Sequence, residues 1–292
     1  YLKNYISYIN IMEHTREKIN PELLTYFYKE HLDIYFEKKE LDTIGYTYKF
    51  TDPNFLVDPN TTIPFPIDVT DLVRLHKLVR ERKVFTILEY GLGYSTMIMA
   101  DALYKNKLEF ESCEDSIKSI IRCNNMFELH TVDNDRYWIS HLRKRIEQFT
   151  NIHNIIHIHY STCTTGTFNS RICHFYDQHP NIVPDFIYVD GPAACSVKGH
   201  YNGIDFTCLD RTVMSGDLLV QEPTFIPGLF IIIDGRTNNA YFLKNNLQRK
   251  YDYNYNLEND VHTFELQDKP LGKHNIAKLE YCGITTIYNE SL

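Results

Sequence analysis

The sequence predicts an α/β fold: a doubly wound, mostly parallel seven-stranded sheet with helices on both faces, plus an N-terminal helical extension. Three observations predict it. From residue 84 onward, short apolar runs rich in β-branched residues recur at 84–89, 129–133, 155–160, 186–190 and 230–234, as expected of strands buried beneath helices on both sides. Stretches with apolar residues at helical spacing alternate with them, at 96–103, 136–149, 205–214 and 239–250. Most of the runs end in an acid: Glu89, Asp133, Asp190 and Asp234.

The remaining elements follow in chain order. Residues 1–40 predict two helices, the first carrying Leu2, Tyr5, Ile6, Ile9 and Met12 on one face, the second starting at Asn20-Pro21-Glu22 with Asn as cap and Pro at the first helical position. This unit would cover a face, form a substrate lid or supply a homodimer contact. The Pro, Asp, Asn and Thr between residues 51 and 66 form a loop, so the chain divides into an extension over 1–67 and a catalytic domain over 68–292. Leu72, Leu75, Leu78 and Val79 mark the first helix of that domain. Two further strand-like runs, 261–266 and 282–288, flank Pro270-Leu271-Gly272 and predict a hairpin that closes the sheet edge.

Composition narrows the function. A formal net charge of -8 disfavours a nucleic-acid partner, and Arg143-Lys144-Arg145 reads as the solvated face of a helix. No apolar run reaches the ~18–20 residues that span a bilayer, which predicts no membrane partner. Seven scattered cysteines without zinc spacing suit reduced thiols and a cytoplasmic location.

In an open parallel sheet the ligand sits beyond the carboxyl ends of the strands, so the acids above share one edge with Tyr160 and Ser161. Glu89-Tyr90-Gly91-Leu92-Gly93-Tyr94-Ser95-Thr96 joins strand to helix. Its glycines permit a tight turn with close backbone approach, and the helix N-terminus offers unpaired N–H groups. A dinucleotide fingerprint would place a third glycine where Thr96 stands and would not place an acid two residues before Gly91.

Glu89, Gly91, Gly93, Ser95 and Thr96 resemble the first motif of the class I, Rossmann-like S-adenosylmethionine-dependent methyltransferases, and the resemblance extends over residues 70–240 at motif level. It implies S-adenosyl-L-methionine as cofactor, with Gly91 and Gly93 facing its methionine part and Glu89 near its ammonium group, directly or through water. It also implies that Asp133 holds the ribose hydroxyls, with Glu111 or Glu114 as alternatives if either ends the second strand, and that Tyr160, Ser161 and Thr162 lie near the adenine. Asp190 falls at the methyl-transfer site, where Asp190 and His200 are base candidates for a hydroxyl acceptor. Asp234 and Arg236 complete the candidate catalytic set, Arg236 as a fork for an anionic acceptor.

Asp190 with Asp234 could hold a divalent ion, yet Gly235 stands where an amide ligand would complete the set, and a metal is not favoured. His157 and His159 point to one side of a strand and read as a buried polar pair. The expected reaction is methylation of a hydroxyl on a small molecule or sugar. Three rivals stay open: a metal-dependent glycosyltransferase using Asp133-Asn134-Asp135, a nicotinamide-dependent oxidoreductase, and a non-catalytic binding module on the same fold.

Overall fold

The computed structural model describes residues 16–42, 44, 46–48, 67–208 and 210–284. The chain divides into two compact units, residues 1–78 and 79–292, and the helix Val69–Glu81 straddles the division.

In the first unit, Asn20 caps the helix Pro21–Lys29 as the sequence predicts, its side chain accepting the Glu22 N–H at 2.9 Å. Pro21 takes the first helical position, where a missing N–H leaves no bond unmade. The helix cannot continue past His31, whose φ of 57° is left-handed. A 3₁₀ turn, Leu32–Tyr35, and a short helix, Lys38–Leu41, follow in place of one long helix. Strand β1, Arg16–Lys18, pairs antiparallel with β2, Tyr46–Tyr48. The helix expected around residues 2–12 lies outside the described residues.

The second unit is built on strands β3 (Thr86–Tyr90), β4 (Glu128–Asp133), β5 (Ile156–Tyr160), β8 (Phe186–Val189), β9 (Phe230–Asp234), β10 (Tyr251–Asn256) and β11 (Val261–Leu266), with an inserted hairpin of β6 (Cys163–Phe168) and β7 (Arg171–Tyr176). The seven-stranded sheet runs β10-β11-β9-β8-β3-β4-β5. Its five strands β9, β8, β3, β4 and β5 are parallel, and β11 alone runs against its neighbours. This is the doubly wound, mostly parallel Rossmann-like sheet that the sequence predicts.

Alternation along each strand assigns two faces. Leu88, Tyr90, Ile187, Val189, Ile231 and Ile233 pack with Leu218 and Leu219 of the helix Asp217–Gln221 and with Ala240 and Leu243 of the helix Thr237–Lys244. Glu89, between Leu88 and Tyr90, faces the opposite way, toward the helix Tyr94–Glu111, whose Ser95 and Thr96 it holds. Each fully buried Val, Leu or Ile in these layers contributes about 1.5–3 kcal/mol, so the sheet is a rigid platform for the loops at its carboxyl edge.

Several expectations need correction. The described residues of 205–214 form no helix, and the end of the segment runs alongside β7, where the His174 N–H donates to Met214 O at 2.8 Å. The helix expected over 239–250 is Thr237–Lys244, and Tyr251–Asn256 is an edge strand. The closing hairpin is therefore β10–β11, while residues 273–281 form a helix that ends before Cys282; residues 285–288 of the expected last strand lie outside the described residues. Glu111 ends a helix and Glu114 caps the next one, Asp115–Ile120, so neither ends a strand. Among the described residues, no helix is long and apolar enough to cross a membrane, and all seven cysteines are free.

Candidate functional site

The register of the sheet assembles the site. Val132, Tyr90, Val189 and Ile233 stand in one row across β4, β3, β8 and β9. The next residue on each strand is Asp133, Gly91, Asp190 and Asp234, with Tyr160 opposite Asp133 on β5. The chain order reverses at β3, between β4 and β8, which is where open α/β sheets bind their ligands.

At that switch point two backbones touch. Gly91 has a φ of 90°, and a Cβ there would lie 2.7 Å from Gly191 N; a Cβ on Gly191 would lie 2.7 Å from Gly91 Cα. Only glycines allow this approach, and it ties the β3 turn to the loop after β8. Around Gly93 there is room, with Ser95 Oγ at 3.9 Å the one atom near a built Cβ.

Glu89 lies beneath the turn, fully buried, with Ser95 Oγ donating to its Oε1 and Thr96 Oγ1 to its Oε2, both at 2.6 Å. Thr96 Oγ1 also accepts the Gly93 N–H at 3.0 Å, so the residue that replaces a third glycine closes the first helical turn. Burial pushes the Glu89 carboxyl up to about 8, against the pull of the two hydroxyls. Both oxygens are engaged by its own loop, so Glu89 shapes the turn from below.

Asp133 joins β4 to the same turn. Its Oδ2 accepts the Leu92 N–H at 3.0 Å and its Oδ1 the Asp135 N–H at 2.7 Å. Burial raises its pKa, opposed by those backbone bonds. A carboxylate has about four lone-pair sites, so these bonds leave it acceptor capacity for a ligand hydroxyl. Asp135 is the helix N-cap, accepting from Tyr137 N at 2.8 Å and Trp138 N at 3.4 Å. Asn134 donates to Ser196 Oγ at 2.8 Å and Ser196 O at 3.3 Å, binding the β4 loop to the segment after β8.

Beyond β5, Ser161 is buried and serves as a brace. Its N–H donates to Asp133 O at 3.0 Å, and its hydroxyl accepts the Gln178 N–H at 2.9 Å. The Arg136 guanidinium lies 3.7 Å from the Tyr160 ring centroid. Thr162 donates to Asp177, closing the same corner.

On the β8–β9 side the Asp190 carboxylate is about half exposed, 3.6 Å from an Arg236 nitrogen. Arg236 also donates to Pro192 O at 3.0 Å and to Asp190 O, so its fork straps the two strand-end loops together and is not free for an acceptor anion. The Tyr188 hydroxyl donates to Asp234 Oδ2 at 3.2 Å. His200 stands apart, exposed in its turn, with its Nδ1 accepting from Gly203 N at 3.3 Å.

A polar chain under the turn, buried at Tyr90 and Asp217 and open to solvent at His179, is absent from the sequence motifs. Gln221 donates to Tyr90 Oη at 2.9 Å, Tyr90 meets His179 Nδ1 at 3.3 Å, and His179 Nε2 meets Asp217 Oδ1 at 3.0 Å. Burial raises the pKa of Asp217 and of the Tyr90 hydroxyl. The four residues come from separate, aperiodic places in the sequence; only the placement of Tyr90 between Glu89 and Gly91 could have signalled it.

No protein-family profile matches the chain, and no curated protein does. Solved structures give distant likenesses. One is to the O-methyltransferase TomG from Streptomyces achromogenes in complex with SAM, 14% identical over 68% of this chain and 80% of that one, with a TM-score of 0.37. Another is to an O-methyltransferase from Bacillus cereus in complex with SAH, 12% identical over 68% and 82%, TM-score 0.38. A third is to the SAH-bound methyltransferase PaMTH1 from Podospora anserina, 11% identical over 91% and 96%, TM-score 0.38. Likenesses at these values carry no argument about what this chain does.

Proposed function

We propose that this chain is an S-adenosyl-L-methionine-dependent methyltransferase acting on a hydroxyl of a small molecule. The observation that carries the reading is the Asp133 carboxylate, which ends the strand beside β3 and accepts the Leu92 N–H of the glycine turn. One carboxylate thereby serves the turn and keeps acceptor capacity for a ribose hydroxyl, while the room at Gly93 and the start of the helix Tyr94–Glu111 lie beside it. The acids along this edge also suit a ligand carrying sulfonium and ammonium charge.

S-adenosylmethionine, when bound, supplies an electrophilic methyl group for in-line displacement, so alignment is the main task of the protein. Gly91 and Gly93 admit the methionine part, and Glu89 fixes their turn by holding Ser95 and Thr96. Asp133 would orient the ribose. Asp190, exposed on the neighbouring strand end, is the group placed to take the proton of a hydroxyl acceptor. Arg236 holds the Asp190 loop in position.

The glycosyltransferase alternative requires Asp133 and Asp135 to share a metal. Asp135 is occupied as a helix cap, which favours the first reading. Calorimetry decides between them: S-adenosylhomocysteine should bind, and Asp133→Ala should weaken it by about 1–3 kcal/mol. Failure of the wild-type protein to bind it, with binding of a nucleotide sugar plus manganese or of NADH, would sink the proposal.

A further inference from the structure

Away from the strand carboxyl ends, β4 and β5 carry a second cluster of ligating side chains. Glu128 opens β4, His130 follows two residues later, and His157 stands opposite His130 on β5. His130 Nε2 lies 2.9 Å from Glu128 Oε2, and His157 Nε2 lies 4.0 Å from the same oxygen. One donor atom from each of the three residues lies within 4.8 Å of the others. The two imidazoles stack, with centroids 4.6 Å apart and planes 17° from parallel, and both Nε2 atoms lie within 4.0 Å of one carboxylate oxygen. His157 Nε2 is buried without a hydrogen-bond partner.

The surroundings complete the pattern of a metal site. His130 Nδ1 is 3.0 Å from His159 Nε2, so His130 can hold its proton on Nδ1, donate it to His159 and keep the Nε2 lone pair for a cation. Ligating histidines are commonly oriented in this way by a bond from the far ring nitrogen. Asn125 Nδ2 donates to Glu128 Oε2 at 2.8 Å, fixing the carboxylate. A tetrahedral zinc ion with bonds of about 2.0–2.1 Å holds its donors roughly 3.3 Å apart. His130 and Glu128, hydrogen-bonded at 2.9 Å, need to open by only a few tenths of an ångström to admit the ion in place of the shared proton, and the half-exposed His157 ring, at 4.0 Å, needs to move inward by a similar small amount. Two histidine nitrogens and a carboxylate oxygen are a zinc-type donor set.

We propose that Glu128, His130 and His157 form a zinc-binding site that clips β4 to the edge strand β5, with His159 orienting His130. The fourth position would hold water. The site is independent of the methyltransferase reading: Glu128 lies at the opposite end of β4 from Asp133.

The test is zinc titration of the full chain against a competing chelator, with cobalt(II) absorption as a second readout. One equivalent should bind, and the cobalt spectrum should show tetrahedral d–d bands without a sulfur-to-metal charge-transfer band, since no cysteine takes part. His157→Gln and Glu128→Gln should each weaken binding at least ~100-fold, His159→Gln should weaken it ~10–100-fold, and the exposed His153→Ala should leave it unchanged. If a variant fails to fold, the wild-type histidine ring NMR signals decide, because His130 and His157 must shift on zinc addition. Absence of stoichiometric binding, a charge-transfer band, unshifted rings, or full affinity in folded His157→Gln and Glu128→Gln would each overturn the proposal.

Discussion

Glu89 decides much of the chemistry of the glycine turn. Its folded pKa, pushed to about 8 from 4.5, means that the folded protein binds a proton that the unfolded chain releases between those values. Stability is therefore greatest below pH 4.5 with respect to this group and is lost as pH rises toward 8. Glu89→Gln removes the loss: in urea unfolding, the variant should gain on the wild type by up to a few kcal/mol between pH 5 and pH 8, and a constant difference across that window would refute the burial argument. Asp190 makes the opposite kind of prediction, since it is exposed and its proposed role is at the acceptor. Asp190→Asn should lower kcat by about 10²–10⁴-fold while S-adenosylhomocysteine affinity stays within a few fold; an equal loss of affinity would move Asp190 from acceptor chemistry to cofactor binding. At this scale the sequence was informative about position. Asp133, Asp190 and Asp234 fall in one row because the strand ends could be counted. It was silent about availability: that Asp135 caps a helix, that Ser161 braces a loop and that Arg236 straps two turns depends on bonds to Leu92, Tyr137, Gln178 and Pro192, which no local pattern displays.

The elements were legible where burial imposed a period. β3, β4, β8 and β9 are buried or nearly so along their length, so their apolar runs stood out, whereas the edge strand β5 is half-buried and was legible from its alternating isoleucines. The β6–β7 hairpin was missed because Cys163-Thr164-Thr165-Gly166-Thr167-Phe168 is only partly buried and has no apolar run. Strand β10 alternates half-buried tyrosines with exposed polar residues, the signature of an edge strand, but it follows a helix closely and was absorbed into it. Gly91 and Gly191 tie two elements that sequence distance separates by 100 residues. Gly191→Ala puts a methyl group 2.7 Å from Gly91 Cα, backbone against backbone, where neither side can yield. The variant should lose about 1–3 kcal/mol of stability and bind S-adenosylhomocysteine more weakly, whereas Gly199→Ala, which strains a left-handed φ of 76° but meets nothing within 4 Å of a built Cβ, should leave ligand affinity unchanged. Equal affinity in Gly191→Ala and wild type would show that the contact between loops does not shape the cofactor site.

For the molecule as a whole, two buried groups bound the pH range of stability from opposite sides. His174 is buried on β7, and burial, aided by Arg236, pushes its pKa down from 6.5 to about 3. The unfolded chain binds its proton between those values and the folded chain does not, so stability falls as pH drops below 6.5. Glu89 acts in the other direction, with stability falling as pH rises above 4.5. Of these two groups, His174 alone sets a slope below pH 4.5, Glu89 alone above pH 6.5, and between them the two oppose. His130 and His159, lowered by burial, add to the acid side, and Asp133 and Asp217, raised by burial, add to the alkaline side. Urea midpoints measured from pH 4 to pH 8.5 should therefore trace a dome with its maximum between pH 4.5 and 6.5. His174→Gln should flatten the acid limb and leave the alkaline limb, and Glu89→Gln should do the reverse. A dome that moves as a whole in either variant would mean that the limbs are not set by these two residues, and that the surface carboxylates of an acidic chain dominate instead.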